Sequence, residues 1–326
     1  MTPLVSVVVV SYQTRQLTVD CLRALKEVSG TVPYEVIVVD NASTDGSADA
    51  VRAAVPEARV IRLGANIGFG RAVNVGATLA RARWLLLVNP DTTPVGDVVA
   101  AFIEAAEADP ETRMWTGRTL RPDGTDDGHS CFGLPTLWSL FCFATGLSAL
   151  FRSSRWLNPE ELPHLDRSKR ARVLAASACL LLVELVLFTQ LGGFAPEYFM
   201  YSEDIDLCAR AASYGAAPVL VPTAQVKHLG GAASTSVLKR VMVLRGKCTY
   251  LRRRWPRRRA VAGLALLAAG VGLRAAAARL TGRAAYWPAV WAQRRTWLAG
   301  WPPVAQMPAV EIVEVRDGRV GLTYEG

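Results

Sequence analysis

The chain has 326 residues, of which 51% are hydrophobic and 20% charged, so it can bury a full core and is not an intrinsically disordered protein. Its six cysteines are scattered without a CxxC pair or a Cys/His cluster, which argues against a zinc site or a disulfide framework and fits a reducing compartment. The net charge of +9 is uneven: residues 1–206 carry 18 Lys/Arg and 24 Asp/Glu, whereas residues 207–310 carry 17 Lys/Arg and no acid. Such a basic segment attracts polyanions, either nucleic acid or an anionic membrane surface.

The first hundred residues alternate strand and helix signals. VSVVVVS (5–11) is a continuous β-branched run, typical of a strand covered on both faces, and it is too short to span a bilayer. Further strands are expected at 34–40, 58–63 and 83–89, and later helices at 41–55 and 71–82. The alternation predicts βαβ units and a mostly parallel sheet.

The middle of the chain is less regular. RPDGTDDG (121–128) is typical of a turn. Residues 134–151 lack charge but are interrupted by polar residues and by Gly146, so a buried or interfacial helix is favoured over a membrane span. Residues 173–188 indicate an inner strand that leads into a helix or a second strand. Residues 217–231 read as strand, loop and strand.

The character of the sequence changes after residue 236. Apolar residues recur every three or four positions, which predicts one apolar stripe on a helix. The members of the stripe are Val237, Val241, Leu244, Cys248, Leu251 and Trp255. The basic residues and tryptophans around it are typical of an in-plane membrane helix, and a helical cap with a solvated basic face is the alternative. The tail, 310–325, indicates a hairpin that turns at Asp317 and Gly318.

Two acids stand where predicted strands end. Asp40 closes the second strand and Asp91 follows the fourth, so both fall on the ligand-binding edge of the predicted sheet. A single acid in such a position is commonly a helix cap. Two of them, with the glycine-rich loop 64–70 between, favour a ligand site.

A second acidic cluster consists of Glu203, Asp204 and Asp206. Three acids this close repel one another, so at least one requires a cation, a raised pKa or solvent. The alternative is a helix N-terminus, where the helix dipole favours acids. His228, one of three histidines, is structural by default but becomes a metal-ligand candidate once a metal-binding acid is present elsewhere.

The order of these segments resembles glycosyltransferase family 2, and most closely its bacterial rhamnosyltransferase-like branch. The likeness covers about residues 4–235 and rests on VSVVVVSYQT, EVIVVDNASTDGS, GANIGFGRAVN, LLLVNPDT, RPDG, LGGFAPEYFMYSEDIDLCAR and VKHLGG. It implies the α/β GT-A fold, with a Rossmann-like nucleotide-sugar half (1–112) and an acceptor half (113–235). The basic helical extension (236–326) is predicted from the sequence pattern alone. It also implies an inverting transferase that uses Mg²⁺ or Mn²⁺.

The resemblance also implies roles for individual residues. Ser11 and Tyr12 would border the nucleobase, and Asp40 would accept a hydrogen bond from a uracil or thymine ring. Asn66, Gly68 and Arg71 would lie over the ribose and diphosphate. Asp91 takes the place of the metal-binding acid of a DxD-type motif, whose first acid is Asn89 here, and His228 matches a histidine that reaches the metal or diphosphate. Asp204 matches the general base, with Glu203 beside it.

The expected protein is therefore an inverting glycosyltransferase that moves rhamnose or a similar sugar from a dTDP- or UDP-sugar. Its expected acceptor is a lipid-linked or polymeric glycan of a bacterial envelope polysaccharide. We expect it at the inner face of the cell membrane, in contact with anionic lipid, and without a nucleic-acid partner. The rivals are a catalytically silent scaffold of the same fold, a nucleic-acid binder suggested only by RRRWPRRR (252–259), and a dinucleotide oxidoreductase, which lacks GxGxxG after the first strand.

Overall fold

A computed structural model describes residues 2–229, 236–281 and 286–316. The strands are β1 (Val5–Ser11), β2 (Tyr34–Asp40), β3 (Arg59–Leu63), β4 (Trp84–Val88), β5 (Thr92–Val95), β6 (Met114–Leu120), β7 (Cys131–Phe132), β8 (Ala171–Arg172), β9 (Ala175–Ala176), β10 (Leu180–Glu184), β11 (Val219–His228) and β12 (Ile312–Arg316). The helices are α1 (Arg15–Val28), α2 (Ser47–Ala54), α3 (Phe69–Thr78), α4 (Val98–Ala108), α5 (Leu137–Thr145), α6 (Leu147–Leu150), α7 (Leu185–Gln190), α8 (Glu203–Ala211), α9 (Val237–Arg254), α10 (Arg257–Leu280), α11 (Tyr286–Ala292) and α12 (Arg294–Ala299).

One mixed sheet organises the molecule, in the order β12-β3-β2-β1-β4-β10-β6-β11-β5. The strands β3, β2, β1 and β4 are parallel, as the alternating pattern predicted, and β10 enters antiparallel between β4 and β6. The strand order reverses between β1 and β4, and this is the position where open α/β sheets bind ligands.

Burial on both faces explains the β-branched strands. Every residue of β1 is buried, and helices cover the sheet on each side. Gly76 of α3 shows how closely they pack, because a Cβ there would stand 2.8 Å from a methyl group of Val8 and 3.0 Å from one of Val39. Two apolar layers on one sheet therefore form the core of the N-terminal half.

The sequence-based boundaries hold with small shifts. The helix expected at 71–82 begins earlier and ends earlier, at Phe69–Thr78, and the segment 173–188 forms β10 followed by α7. Residues 217–231 were expected as two strands. The structure has one long strand, β11, whose register against β6 shifts between Leu220 and Gln225.

The C-terminal helices correct the membrane prediction in one respect. Helix α9 forms as expected, but five members of its apolar stripe are buried among α8, α10, α11 and α12 rather than exposed: Val241, Leu244, Cys248, Leu251 and Trp255. These side chains build a third core and cannot insert into lipid. Helix α10 is long and apolar enough to cross a membrane by length and composition, and a third of its most apolar stretch is buried.

The predicted hairpin at the C-terminus is described only in its first arm. Strand β12, its first arm, pairs antiparallel with β3 at the edge of the main sheet. Arg52 and Arg62 contact Glu314 there, at 2.7 and 3.8 Å. The turn expected at 317–318 and the second arm lie outside the described residues.

Candidate active site

A cavity of about 640 Å³ opens at the carboxyl ends of β1 and β4, a size typical of ligand-binding sites. It is lined from both halves of the chain and by Lys239 of α9, which the sequence analysis did not single out. The lining residues are Val10, Tyr12, Thr14, Leu17, Asn41, Asn66, Phe69, Asn89, Pro90, Asp91, Ser177, Ala178, Cys179, Met200, Tyr201, Glu203, Asp204, His228, Leu229 and Lys239.

The residues predicted to hold the nucleotide divide into two groups. Tyr12 and Asn66 line the cavity, and the Asn66 side-chain oxygen accepts from the backbone N–H of Gly68 at 3.0 Å. Ser11, Asp40, Gly68 and Arg71 are buried and do not line the cavity. The Ser11 side chain is buried, and its hydroxyl shares hydrogen bonds with Thr14 and Thr18.

Asp40 and Arg71 each bury a polar atom without a partner. In the described part of the chain, Asp40 Oδ1 and Arg71 Nη1 are inaccessible and make no hydrogen bond. Burial raises the pKa of Asp40 and lowers the pKa of Arg71. Unsatisfied buried acceptors and donors are costly, so these two atoms are candidates for ligand contacts.

The loop after β4 delivers Asp91 to the cavity. Asn89 fixes the loop through its backbone, which donates to Cys179 at 3.0 Å and accepts from the Thr92 hydroxyl at 2.7 Å. The carbonyl of Asp91 accepts from the N–H of Leu229, just after β11. The loop is thus tied to the strand that carries His228.

His228 lies between two acids. Its Nε2 is 3.3 Å from Asp91 Oδ2, and its Nδ1 is 3.6 Å from Asp127 Oδ2. We call these three residues the metal-side group. Asp127 was missed because RPDGTDDG reads as a turn. In the structure the turn brings Asp127 back onto β6, where Thr119 donates to it from its hydroxyl at 2.5 Å.

Hydrogen bonding sets the charges in the metal-side group. Burial disfavours the charged imidazole, but Asp127 and Asp91 outweigh burial and raise the pKa of His228 to about 12. Burial likewise opposes ionisation of Asp127, but His228 and Thr119 lower its pKa to about 2. The imidazole is therefore protonated at neutral pH, and a cation that binds it must displace this proton.

The donor set suits a divalent cation only in part. Among the described residues, no group of three or more His, Cys, Asp and Glu side chains is arranged to hold a metal. Asp91 and His228 nevertheless both line the cavity, and the Asp91 carboxylate is the type of ligand that Mn²⁺ and Mg²⁺ prefer. Asp127 would orient the imidazole from behind, as carboxylates do in many metal sites.

Glu203 and Asp204 form the other acidic group of the cavity, which we call the base-side group. Both line the cavity, and Glu203 Oε2 is buried without a hydrogen-bond partner in the described chain. The backbone N–H of Ile205 donates to Asp204 Oδ1 at 2.8 Å. Burial, and then the charge of Asp204, raise the pKa of Glu203 to about 8, and burial raises the pKa of Asp204. The group is suited to hold and move a proton near neutral pH.

A strained turn presents the base-side group. Tyr201 and Ser202 have φ angles of 66° and 71°, which are uncommon for residues with a side chain. The C-terminal helices support this turn: a Cβ at Gly246 of α9 would stand 2.2 Å from the Tyr201 carbonyl oxygen. Trp301 donates from its indole N–H to the Met200 carbonyl at 3.0 Å. The segment after residue 236 is therefore part of the site's support.

Asp206 separates from its sequence neighbours. It does not line the cavity; it is fully buried and accepts from Arg210 at 2.8 Å and from Arg254 of α9 at 2.5 Å. Burial raises the pKa of Asp206, but the two arginines outweigh it and the pKa is lowered. Asp206 is an anchor between α8 and α9 and not part of the base-side group.

Comparison with known proteins places this site in a family. Residues 6–150 match the family model for glycosyl transferase family 2. The chain is 32% identical over 207 residues to N-acetylglucosaminyl-diphospho-decaprenol L-rhamnosyltransferase of Mycobacterium tuberculosis; the match covers 60% of this chain and 66% of the relative, just under two thirds of its length. The chain belongs to glycosyltransferase family 2.

The chain is also similar to a second relative, and two solved structures share its fold. The chain is 37% identical over 108 residues to the succinoglycan biosynthesis protein ExoO of Rhizobium meliloti, and the match covers 32% of this chain and 30% of the relative. A mannosyltransferase from Pyrobaculum calidifontis in complex with GDP-Man and Mn²⁺ superposes with a TM-score of 0.55 at 18% identity, over 92% of this chain and 84% of its own. The structure of GalNAc-T7 with UDP, GalNAc and Mn²⁺ superposes with a TM-score of 0.50 at 15% identity, over 69% of this chain and 42% of its own. These likenesses confirm the GT-A fold predicted from the sequence.

Proposed function

We propose that this glycosyltransferase is an inverting, metal-dependent enzyme that moves rhamnose or a similar sugar from a dTDP- or UDP-sugar to a hydroxyl of a lipid-linked or glycan acceptor. The carrying observation is that one cavity is lined by two separate acidic groups, Asp91 with His228 and Glu203 with Asp204. Asp91 pairs with a charged imidazole, whereas Glu203 and Asp204 have raised pKa values. In an inverting, metal-dependent transfer, a cation neutralises charge on the departing diphosphate and a base takes the proton of the acceptor hydroxyl.

The residues near β1 and β2 would bind the donor. Asp40 Oδ1 would accept from the ring N–H of a uracil or thymine, which would satisfy its unpaired oxygen. Arg71 would direct its unpaired Nη1 toward the diphosphate, and Asn66 and Tyr12 would contact the donor from the cavity wall. Asp91 and His228 would hold Mg²⁺ or Mn²⁺, which neutralises charge on the departing diphosphate.

Asp204 would act as the general base. It takes the proton of the acceptor hydroxyl while that oxygen bonds to the anomeric carbon and the carbon–oxygen bond to the diphosphate breaks, which inverts the carbon. Glu203 would retain a proton beside it, because two adjacent buried carboxylates do not both ionise readily. The donor-side and base-side roles thus fall on different residues.

The choice of sugar and acceptor is supported by the relatives. The mycobacterial protein is named as an L-rhamnosyltransferase for N-acetylglucosaminyl-diphospho-decaprenol, and the rhizobial protein as a succinoglycan biosynthesis protein. The first name specifies a lipid-linked sugar as acceptor, and the second specifies the synthesis of a glycan. We therefore propose an envelope-glycan acceptor and a location at the inner face of the cell membrane, which the acid-free segment 207–310 also favours.

A panel of UDP- and dTDP-sugars tests this function, with Mg²⁺ or Mn²⁺ present and release of the nucleoside diphosphate as the readout. We expect release with at least one donor, and we expect Asp204→Asn to lower it by about 10³-fold, the usual contribution of a general base. Gln16→Glu, at an exposed position of α1, is the control for losses of activity during purification and should release as much as the wild type. Equal release by the wild type and Asp204→Asn would contradict the role of Asp204 as the general base, and no release by the wild type with any donor would favour a silent binding scaffold.

A further inference from the structure

The exposed face of α10 has an unusual composition. Every exposed residue of this helix between Arg259 and Arg279 is alanine, valine or leucine, and the side chains of Val261 and Leu273 are 60% and 59% exposed. A solvent-facing helix ordinarily carries charged residues there. The opposite face of α10 is already used in packing, so this second apolar face needs a different explanation.

Helix α5 extends the same surface. An apolar groove, lined by apolar residues of the two helices, runs between them. We call it the α5–α10 groove; its residues are Leu137, Trp138, Phe141, Ala262, Ala265, Leu266 and Ala269. Trp138 and Phe141 are 50% and 41% exposed, and their rings stack with centroids 5.6 Å apart. Exposed apolar patches of this kind mark interaction sites.

The loop after α6 continues the patch with aromatic and apolar side chains. Leu150, Phe151 and Trp156 are exposed, and the indole N–H of Trp138 donates to the carbonyl of Trp156 at 2.7 Å. The guanidinium of Arg155 lies over the Trp156 ring, 4.7 Å from its centre. Tryptophan paired with arginine at the border of an apolar patch is typical of the membrane–water interface.

The two helices that form the groove carry charges of one sign, and Glu160, which accepts from Ser139 of α5, is paired with Lys247 at 2.6 Å. No Asp or Glu occurs in residues 128–159 or 207–310, the segments that contain α5 and α10. Arg258 precedes Ala262 by four residues and Ala265 by seven, so it lies on the same helix face as the groove. The two helices therefore border the apolar patch with cations and contribute no acid to it, which complements an anionic lipid surface.

The packing of α10 favours a helix that lies along the membrane over one that crosses it. A Cβ at Gly263 would stand 3.1 Å from a methyl group of Leu140, and one at Gly270 would stand 2.7 Å from the Phe143 ring, so α10 sits tightly on α5. Arg274 lies over the Phe143 ring, 4.1 Å from its centre. Crossing a bilayer would separate α10 from these partners.

We propose that the α5–α10 groove, with Leu150, Phe151 and Trp156 beside it, is the surface by which the protein docks on an anionic membrane, and that α10 lies in the plane of the interface. The apolar side chains enter the acyl boundary, while Arg155 and Arg258 contact lipid phosphates. The stripe of α9, which the sequence pattern assigned to this role, stays in the core. The proposal is independent of the enzyme's donor and acceptor.

Vesicle sedimentation of the full-length protein tests this surface. Ala265→Glu places a carboxylate on an exposed helical position of the groove, and Ala53→Glu makes the same change on the exposed side of α2, far along the chain. With vesicles of phosphatidylcholine and phosphatidylglycerol, Ala265→Glu should lower the partition coefficient about tenfold or more, and Ala53→Glu should leave it within about twofold. Equal binding by the two variants would overturn the proposal.

A labelled cysteine adds a test that does not depend on affinity. All six native cysteines are buried, so a cysteine introduced at an exposed position can be labelled selectively. A nitrobenzoxadiazole label on Ala269→Cys should shift to shorter wavelength with these vesicles and be quenched by brominated acyl chains, whereas the label on Ala53→Cys should not. If Ala265→Glu instead converts a dimer to a monomer and the label at 269 ignores vesicles, a second copy covers the groove and the proposal is wrong.

Discussion

The two acidic groups of the cavity differ in what balances their charge. On the metal side, Asp91 and Asp127 flank one imidazole, and hydrogen bonds hold Asp127 ionised. On the base side, Glu203 and Asp204 have no cation bonded to them among the described contacts, and burial raises their pKa values. The same residue type is therefore prepared for two tasks by its surroundings alone.

The architecture that supports each group also differs. The metal-side residues come from the sheet: the loop after β4, the end of β11, and the turn after β6. The base-side residues follow a strained turn that α9 and Trp301 support from the C-terminal segment. A fold that carries its donor site on strands can thus depend on an appended helical unit for its base.

The largest expected effect separates Asp91 from Asn89. Asp91→Ala should lower kcat/KM about 10³-fold, because it removes the carboxylate proposed to hold the cation. Asn89→Ala should cost less than about fivefold, since the hydrogen bonds that fix Asn89 run through its backbone. Steady-state kinetics with the best donor measure both variants. Equal losses would contradict the assignment of Asp91.

The next effect concerns the support of the base side. Arg254→Ala should lower the free energy of unfolding by about 3 kcal/mol, because it removes one of two cations from the fully buried Asp206. Arg253→Ala is the matched control, since Arg253 pairs with Glu197 in a partly exposed position and should cost less than about 1 kcal/mol. Urea denaturation gives both values. A smaller loss for Arg254→Ala than for Arg253→Ala would refute the anchor.

A smaller effect is expected at Asp127. Asp127→Asn should weaken Mn²⁺-dependent binding of the nucleoside diphosphate about 10- to 100-fold, because the imidazole loses the carboxylate that orients it. Asp123→Asn, exposed in the same turn, should leave the affinity unchanged. Calorimetric titration with and without Mn²⁺ separates the two variants. If both bind as the wild type does, Asp127 has no part in the metal side.

The smallest effect is the pH dependence of stability on the base side. Burial and Asp204 raise the pKa of Glu203, so the folded protein retains a proton that the unfolded chain loses above its ordinary carboxyl pKa. The contribution of this proton to the free energy of unfolding is complete below the ordinary carboxyl pKa and falls as pH rises toward 8, the raised pKa of Glu203. As pH rises near neutrality, the free energy of unfolding of Glu203→Gln should therefore increase relative to that of the wild type by about 1 kcal/mol per pH unit.

Urea denaturation of the metal-free protein at several pH values measures this gain. Glu35 does not line the cavity, and its carboxylate accepts from the Ser6 hydroxyl at 2.7 Å. Glu35→Gln therefore tests whether any carboxyl-to-amide change has the same effect. A constant difference between Glu203→Gln and the wild type over this pH range would show that Glu203 is ionised in the folded protein, contrary to the account.

Much of the donor half could be predicted, because its signals are local. A β-branched run and a strand-end acid specify where Asp40 and Asp91 stand, whatever the rest of the chain does. Asp127 could not be found in this way, since its role depends on a turn that returns it to β6. The adjacent acids Asp126 and Asp127, which follow RPDG, were the local sign of such a role in the sequence.

The C-terminal segment could not be predicted to the same degree. The period of the α9 stripe is the same for a membrane face and for a core face, and only the presence of α10, α11 and α12 decides between them. Similarly, Asp206 lies two residues from Asp204 in sequence, but its partner Arg254 is 48 residues away. Contacts of that range leave no periodic trace in the sequence.

The division between the two acidic groups is tested most directly by titrating the nucleoside diphosphate of the best donor, with and without Mn²⁺, into the wild type, Asp91→Ala and Asp204→Asn. The account predicts that Asp204→Asn binds within about twofold of the wild type although it does not transfer sugar. It predicts that Asp91→Ala loses the Mn²⁺-dependent part of the affinity. Loss of that part by Asp204→Asn, or its retention by Asp91→Ala, would contradict the account.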